Sequence, residues 1–496
     1  MSEENKNMKG TYFISSISIT SYMVEFGMSS VFILFLLYVL NFSMSLSSTV
    51  YAYYYGFAYL LPILIGYISD KYLDRSTSLT LGFIALIISQ ISLAFAASFY
   101  HLGGAVHNTL IFNTQTIAYM LGLFFLALGV SFTTLSFTHM INSVNTSEET
   151  RTKGFSIYYP IINMGIFFGS ALMTLLIGDN NYGLYKVAFS LFAVLLTIWL
   201  ICFRLFRNKY LVDNDGNLMK EGHFSDSIKS VSNNILSRVS NLSITEINKL
   251  NFMERIKLFR NSLNSQDIDR LKVFMVFLVL IILYRIAFSQ TSISLVYFIS
   301  GFVQRNVGPF ILPVQSFSML NPFFILVLSP ILIKINKMLM ERGIDLGFVN
   351  RSIISILVLA FCFSILVLIG YYIDIEAVDQ ISFLWIVVFE FFGVISELYF
   401  AIAGYAMVGN LAPEKYYAMF FGLFTATRAI AMFLSGKISL FFPLNPPTIF
   451  IFNIPINGLM GFFLIFMALT LFAASVLIIF KKRIYNKLHI EGEIEN

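Results

Sequence analysis

Twelve long apolar stretches run along this sequence and constrain its fold more than any other feature. A helix that crosses a bilayer needs about 20 mainly apolar residues, and each stretch reaches that length. Hydrophobic residues make up 57% of the chain and charged residues only 12%, which excludes the soluble classes and predicts an all-α membrane protein. The predicted spans are centred in residues 12–40, 47–69, 76–98, 116–140, 154–178, 183–204, 272–300, 309–333, 348–373, 381–410, 417–438 and 457–480.

A polar segment, residues 205–271, divides these spans into six and six. We predict a six-helix bundle over 1–204, a cytoplasmic linker over 205–271, a second six-helix bundle over 272–480 and a cytoplasmic tail over 481–496. The linker contains SITEINKLNFMERIKLFRNSL, which begins with a capping-box pattern and carries an apolar stripe. This pattern predicts an amphipathic helix along the membrane face or against the bundle, with binding of a partner as the alternative.

Basic residues are concentrated in the loops on one side of the predicted spans. Cytoplasmic loops carry such an excess, so we expect a multi-pass protein of the cell (inner or plasma) membrane with both termini in the cytoplasm. The N-terminus, MSEENKNMKG, is too polar for a cleaved signal peptide. Cys202 and Cys362 lie in apolar stretches, which indicates reduced packing residues rather than a disulfide framework or a metal site.

Five charged side chains fall inside predicted spans, where each costs about 2.5–3.5 kcal/mol and normally faces the interior of the bundle. Glu390 and Glu397 are seven residues apart, so they share one face of a helix. The three acids outnumber the two bases, and an acid left without a base is a candidate for reversible protonation. The five residues are Glu25, Arg285, Glu390, Glu397 and Arg428.

We predict that Glu25 is the first candidate for proton coupling and Glu390 the second. As an alternative, a protonated Glu25 only forms a hydrogen bond with a serine of its own helix, such as Ser21. Arg285 is a candidate ligand for an anionic group of a substrate. Its alternative is a permanent ion pair with Glu397 or Glu390.

Uncharged polar residues inside the spans complete the candidate binding site. Gln290 and Asn163 are amides that could bind a substrate or join helices by hydrogen bonds. Tyr55 lies in a row with Tyr51 and Tyr59 at intervals of four residues, so the three share one helix face. Tyrosine offers an apolar ring and an orienting hydroxyl, although a belt of aromatic residues at the membrane surface is the alternative.

The short loop GYISDKYLDRS resembles the loop between the second and third helices of major facilitator transporters. By this resemblance Gly66 permits close contact between helices, and Asp70 and Arg75 form charged pairs that hold one state of a gate. The alternative is an ordinary basic loop on the cytoplasmic side. The resemblance implies a central cavity between two six-helix halves, lined by helices 1, 4, 7 and 10.

Several longer motifs resemble the proton-dependent oligopeptide transporter (POT) family, a branch of the major facilitators. They occur in the order that the family has them, and the helix-10 motif contains Glu397. In the family this glutamate contacts the amino group of the peptide, which implies the same role here; pairing with a buried arginine is the alternative. The motifs are YLLPILIGYISDKYLDR, GFSIYYPIINMG, FSQTSISL, SFSMLNPFFILVLSPIL and GVISELYFAIAGYAMVGNLAP.

The chain departs from the family at charged positions. The first helix of the family carries two glutamates and an arginine, where this sequence has Ser18, Ser21 and Tyr22. A lysine of the fourth helix is replaced by Thr134, and an acid of the seventh helix by Ser289. These changes remove the usual ligands of the peptide carboxylate, so a standard di- or tripeptide substrate is open to question.

We therefore expect a secondary active transporter, most simply a proton-coupled symporter of a short peptide, an amino acid or a derivative that bears an amino group. The alternatives are efflux of amphipathic compounds and a receptor that keeps the fold without transporting. The chain has no HExxH or nucleophile motif, so we do not expect an enzyme. We expect a monomer that interacts with its substrate, protons and the bilayer, without a cofactor, a metal or a nucleic acid.

Overall fold

Twelve long helices form the molecule, and each coincides with one of the predicted spans. The structure is a computed structural model that describes residues 3–73, 75–101, 104–145, 148–211, 265–343, 346–412, 417–443, 447–451 and 454–488. The helices are α1 (Glu3–Tyr38), α2 (Met44–Tyr72), α3 (Arg75–Ser98), α4 (Thr114–Val144), α5 (Glu148–Ile177), α6 (Tyr185–Tyr210), α7 (Ser265–Phe288), α8 (Leu320–Glu341), α9 (Phe348–Asp374), α10 (Leu384–Leu411), α11 (Tyr417–Ile438) and α12 (Leu459–Leu488).

Ten of these helices are long and apolar enough to cross a membrane within the described ranges, and α2 and α11 complete the set. Short irregular elements connect the second six. A 3-10 turn at Ser289–Ser292 joins α7 to a short helix, Ser294–Phe302, and the 3-10 segment Val314–Met319 leads into α8. Two-residue strands pair in the loops: Val303–Gln304 with Ile381–Ser382, Asn306–Val307 with Phe310–Ile311, and Phe450–Ile451 with Ile454–Pro455.

Helix occupies both edges of the predicted linker, 205–271, because the helices beside it continue past their apolar parts. Helix α6 extends to Tyr210, and α7 begins at Ser265. Arg207 and Lys209 occupy the last turn of α6, where basic side chains stabilise the negative end of the helix dipole. The predicted amphipathic helix of the linker lies outside the described residues.

The two halves meet at one end of the bundle. We call the end that carries the loop between α1 and α2 the distal end, and the end at which α1 begins and α12 ends the terminal end. Several polar contacts cross between the halves at the distal end. They include the hydrogen bond between the hydroxyls of Ser48 and Tyr297 (2.9 Å), the hydrogen bond that Gln315 Nε2 donates to the Gly178 carbonyl (2.7 Å), and the ion pair between Arg305 and Asp179.

Helices α2 and α11 also pack closely toward the distal end. A Cβ atom on Gly436 would lie 2.6 Å from Ala52 Cβ, so only glycine permits this approach. Near the membrane centre, Arg428 of α11 stacks on Tyr59 of α2 across the two halves. The described contacts that join the halves therefore extend from the distal end to the membrane centre.

Candidate functional site

Arg428 faces the space between the halves. It lies in the middle of α11, yet its side chain is exposed, and its guanidinium carbon lies 4.3 Å from the centre of the Tyr59 ring on α2. Such stacking on an aromatic ring is favourable for a cation. Arg428 is also within electrostatic range of Glu25 on α1 and Glu397 on α10, but forms an ion pair with neither.

Arg285 of α7 lies between two aromatic rings. Its guanidinium carbon is 5.3 Å from the ring centres of both Phe400 on α10 and Phe424 on α11. The Nε atom of Arg285 is buried and has no hydrogen-bond partner among the described residues. The predicted alternative, an ion pair with Glu397 or Glu390, is absent from this part of the chain at a cut-off of 4.0 Å. The positive charge is thus held by rings and not by a carboxylate.

Glu397 has an amide as its direct partner. Asn321 Nδ2 donates a 2.8 Å hydrogen bond to Glu397 Oε2. One residue earlier on α10, Ser396 shares a 2.9 Å hydrogen bond with the Tyr284 hydroxyl, which ties α10 to α7 beside the carboxylate. Neither arginine of the site forms an ion pair with Glu397 in the described structure. The carboxylate is therefore held in place while its negative charge stays unneutralised.

Glu25 and Glu390 differ in their surroundings. Glu25 lies near the hydroxyl-rich part of α1, but Ser21 Oγ bonds to Thr133 Oγ1 at 2.9 Å, so the predicted bond between Ser21 and Glu25 is not formed. Glu390 is only 7% exposed and lies near Cys362 of α9, with Glu397 two turns away on its own helix. Across the ranges that the structure covers, no cation forms an ion pair with either glutamate.

Tyr55 belongs to the wall of the site on α2. Its hydroxyl donates a 3.0 Å hydrogen bond to Ser29 Oγ of α1, and its ring stacks on Tyr59 with centres 5.9 Å apart. Tyr51, in contrast, is 1% exposed. Within the row of tyrosines, Tyr51 packs in the interior, whereas Tyr55 and Tyr59 continue toward Arg428; a role of Tyr55 in substrate binding stays a prediction.

The two candidate amides lie in tightly packed surroundings. Asn163 is 2% exposed, and its Nδ2 donates to the carbonyl of Tyr159 one turn earlier. Gln290 is 1% exposed; its Nε2 donates to Ser435 Oγ at 2.7 Å, and its Oε1 accepts from Ser294 and Ser439. These bonds use both ends of the Gln290 amide. These bonds join the turn after α7 to the end of α11, and the role of Gln290 in substrate binding stays a prediction.

Hydroxyl groups occupy the region of the first half where the family has its basic ligands. The Tyr22 hydroxyl lies 3.2 Å from that of Tyr158, and Ser18 Oγ bonds to the Ser15 carbonyl. Away from the helix ends, α1 to α6 contain no lysine or arginine. The first half therefore contributes Glu25 and neutral hydroxyls to the site.

The predicted gate at the start of α3 is only partly described. A Cβ on Gly66 would lie 3.7 Å from Leu135 Cδ1, an ordinary contact, so the close approach expected at Gly66 is not required. The side chains of Asp70 and Arg75 lie outside the described residues. The polar contacts that hold the halves together in this structure are instead at the distal end.

The sequence did not identify the aromatic rings that contact the two arginines, which are Phe400, Phe424 and Tyr59. A signal is present in the spacing: Phe400 follows Glu397 by three residues, and Phe424 precedes Arg428 by four, so each shares a helix face with a charge. Which ring contacts which arginine depends on packing between helices, and spacing within one helix does not contain that information.

Comparison with known proteins identifies the group to which this arrangement belongs. The sequence model of the POT family matches residues 76–447. The chain belongs to this family. Dipeptide and tripeptide permease B of Photorhabdus asymbiotica is 23% identical over 432 residues, which cover 84% of this chain and 83% of that protein. Dipeptide and tripeptide permease A of Proteus mirabilis is 25% identical over 457 residues, which cover 88% and 86%.

Solved structures of POT transporters share the fold of this chain. A crystal structure of a mutant peptide transporter POT in complex with alafosfalin has a TM-score of 0.75 and 17% identity, covering 98% of this chain and 99% of that one. A POT family transporter in complex with 5-aminolevulinic acid has a TM-score of 0.71 and 17% identity, covering 96% of each. The predicted family and the major facilitator fold, with twelve helices in two halves, are confirmed. This POT chain is a multi-pass membrane transporter.

Proposed function

We propose that this POT transporter is a proton-coupled symporter for a small solute that bears an amino group, such as a short peptide, an amino acid or a derivative. The relatives that support this proposal are dipeptide and tripeptide permeases. The observation that carries it is the state of Glu397. Its carboxylate lies near the membrane centre, is oriented by Asn321 and has no cation as its direct partner.

Glu397 suits an ammonium group for a physical reason. A carboxylate in a site of low dielectric is costly as an isolated charge, and a cation at hydrogen-bonding distance compensates that cost. Asn321 can donate to only part of the carboxylate, because one hydrogen bond to Oε2 leaves the remaining lone pairs available. A substrate ammonium, with three donors, can use them.

Glu25 is our candidate for the group that carries the proton, and Glu390 is the second. An acid inside the membrane without an ion-pair partner is destabilised when ionised, so it can gain a proton from one side and lose it to the other as access alternates. Glu25 lies on α1, within electrostatic range of Arg428, whereas Glu390 is buried against α9. The position of Glu25 beside the site makes it the better coupling group.

The contacts at the distal end are the basis on which we assign the state of the cycle. We place the terminal end in the cytoplasm and the protein in the inner or plasma membrane as a monomer, in agreement with the basic loops on that side. In this proposal the distal contacts face outward, and the state that they hold is the one with access from the cytoplasm. Alternating access then requires those contacts to open while the terminal ends of the halves approach one another.

Uptake into proteoliposomes tests this function. Labelled di-alanine and a labelled mixture of amino acids are supplied outside, with and without an inward proton gradient, to vesicles that contain the wild type or Glu397→Gln. We expect accumulation above equilibrium that depends on the gradient and is lost in Glu397→Gln. Vesicles with Glu376→Gln, a substitution in an exposed loop, serve as the control. Uptake that is insensitive to the gradient in the wild type would contradict symport with protons.

A further inference from the structure

The second half of the transporter carries both signs of charge at the site. Arg285, Glu397 and Arg428 all belong to α7, α10 and α11, whereas the first half contributes Glu25 and no cation. A substrate with a positive and a negative end therefore finds ligands for both ends on one half.

The two rings that pack on Arg285 belong to the helices that carry the other two charges, Glu397 and Arg428. Phe400 contacts Arg285 and lies about one helical turn from Glu397 on α10. Phe424 contacts the other side of Arg285 and lies about one turn from Arg428 on α11. Arg285 is thus flanked by the helix positions of both other charges. Arg285 is also within electrostatic range of both Glu397 and Arg428.

The rings leave the edges of the guanidinium groups available to a ligand. Phe400 and Phe424 contact Arg285 through cation–π stacking, which does not use the N–H donors in the guanidinium plane. Tyr59 stacks on Arg428, and its hydroxyl also accepts a hydrogen bond from that guanidinium, which leaves the other N–H donors of Arg428 available. The buried Nε of Arg285 has no partner within the described chain. A planar set of N–H donors matches the geometry of a carboxylate, which can accept two hydrogen bonds from one arginine.

We propose that Arg285 and Arg428 form an anion subsite beside Glu397 and bind the carboxylate of the substrate. The ammonium and carboxylate then lie on the same half, so they are separated by few bonds, and the remainder of the solute faces Tyr55 and Tyr59. The preferred substrate class is a compact zwitterion of amino-acid size rather than an extended tripeptide. The role of Glu397 in this description rests on the proposed function, whereas the anion subsite is tested by itself.

Binding of matched ligands to the purified full-length protein tests the subsite. L-alanine, L-alaninamide and tri-alanine are titrated by calorimetry into the wild type, Arg285→Gln and Arg428→Gln, with Arg204→Gln, an exposed position on α6, as the control. We expect the wild type and the control to bind alanine about tenfold more tightly than its amide, because the amide lacks the charge that the arginines recognise. Each site variant should lose most of that preference. Tri-alanine should bind more weakly than alanine.

Sulfate provides a second probe that does not depend on an amino group. We expect sulfate to raise the unfolding temperature of the wild type and the control but not that of a variant with both Arg285→Gln and Arg428→Gln. Equal affinity for alanine and alaninamide, tighter binding of tri-alanine, or sulfate protection that survives in the double variant would overturn the subsite. If neither alanine nor its amide binds while sulfate protects through the two arginines, the proposed amine recognition fails and the anion subsite stands.

Discussion

Arg305 of the second half forms an ion pair with Asp179 of the first half, and this is a charged contact across the closed distal end of the transporter. Both side chains are only 19% exposed, and Arg305 also donates a 2.8 Å hydrogen bond to the Leu312 carbonyl. The loop between α7 and α8 therefore holds Arg305 in place against the loop between α5 and α6. Opening of the distal end must separate these two residues.

Asp179→Asn should shift the population of the transporter toward states that are open at the distal end. Removal of a partly buried ion pair of this kind changes the balance by about 1 kcal/mol, roughly a fivefold change in population. To follow this opening, Ser48, which is buried between the halves, is replaced by cysteine as a reporter in both the parent and the variant. Both native cysteines are replaced by serine, so that the reporter is the cysteine that is labelled. The measurement is the rate at which a membrane-impermeant maleimide labels this cysteine, which we expect to rise about fivefold by the same estimate.

The exchanged pair, Asp179→Arg with Arg305→Asp, is the control for this prediction. It keeps an ion pair at the same place, so it should restore slow labelling of the cysteine at position 48. Labelling that stays as slow in Asp179→Asn as in the parent would show that the pair does not limit distal opening. The bonds of Gln315 to Gly178 and of Tyr297 to Met44 would then be sufficient to hold the closed state.

Asn321→Leu should weaken binding of solutes that bear an amino group. The amide of Asn321 orients Glu397 by a charge-assisted hydrogen bond, a type worth about 1.5–3 kcal/mol. We expect a loss of about tenfold or more in affinity for alaninamide, which has the ammonium but no carboxylate. Asn336→Leu is the matched control, because Asn336 lies on the same helix and accepts only from the Tyr399 hydroxyl. An equal loss in both variants would indicate a general disturbance of α8.

Gln290→Leu should destabilise the protein without a specific effect on the substrate. The change removes the bonds of the amide to Ser435, Ser439 and Ser294 in a buried place. Ser435 and Ser439 still donate to the carbonyls of Ile286 and Ser435, whereas Ser294 loses its partner. Each buried polar group without a partner costs about 1–3 kcal/mol. Thermal unfolding in detergent should show a lower midpoint than that of the wild type, with KM for the transported solute unchanged in the protein that remains folded. A raised KM with an unchanged unfolding midpoint would instead show that Gln290 contributes to substrate binding.

Some of these features could be predicted from the sequence, and others could not. The twelve helices were predictable because each requires only a long apolar stretch, a local property. The inward orientation of Glu397 and Arg428 was predictable because charge in lipid is costly. The bonds of Gln290 were not, because Ser435 is 145 residues away and serine is common in this chain. Nor was the pairing of Arg285 with Phe400 and Phe424, since their spacing from Glu397 and Arg428 places them on a helix face but does not show that they contact an arginine of another helix.

Glu25→Gln should uncouple movement of the solute from the proton gradient that drives it. Glutamine resembles a protonated glutamate that cannot release its proton, so the variant should exchange labelled solute for unlabelled solute across the vesicle membrane yet fail to accumulate it under an inward proton gradient. Wild-type accumulation should rise as the external pH is lowered, whereas the variant should show no such dependence. Glu390→Gln is the comparison, because Glu390 is buried against α9 and should keep coupling if Glu25 carries the proton. Gradient-driven accumulation that persists in Glu25→Gln and disappears in Glu390→Gln would transfer the coupling role to α10.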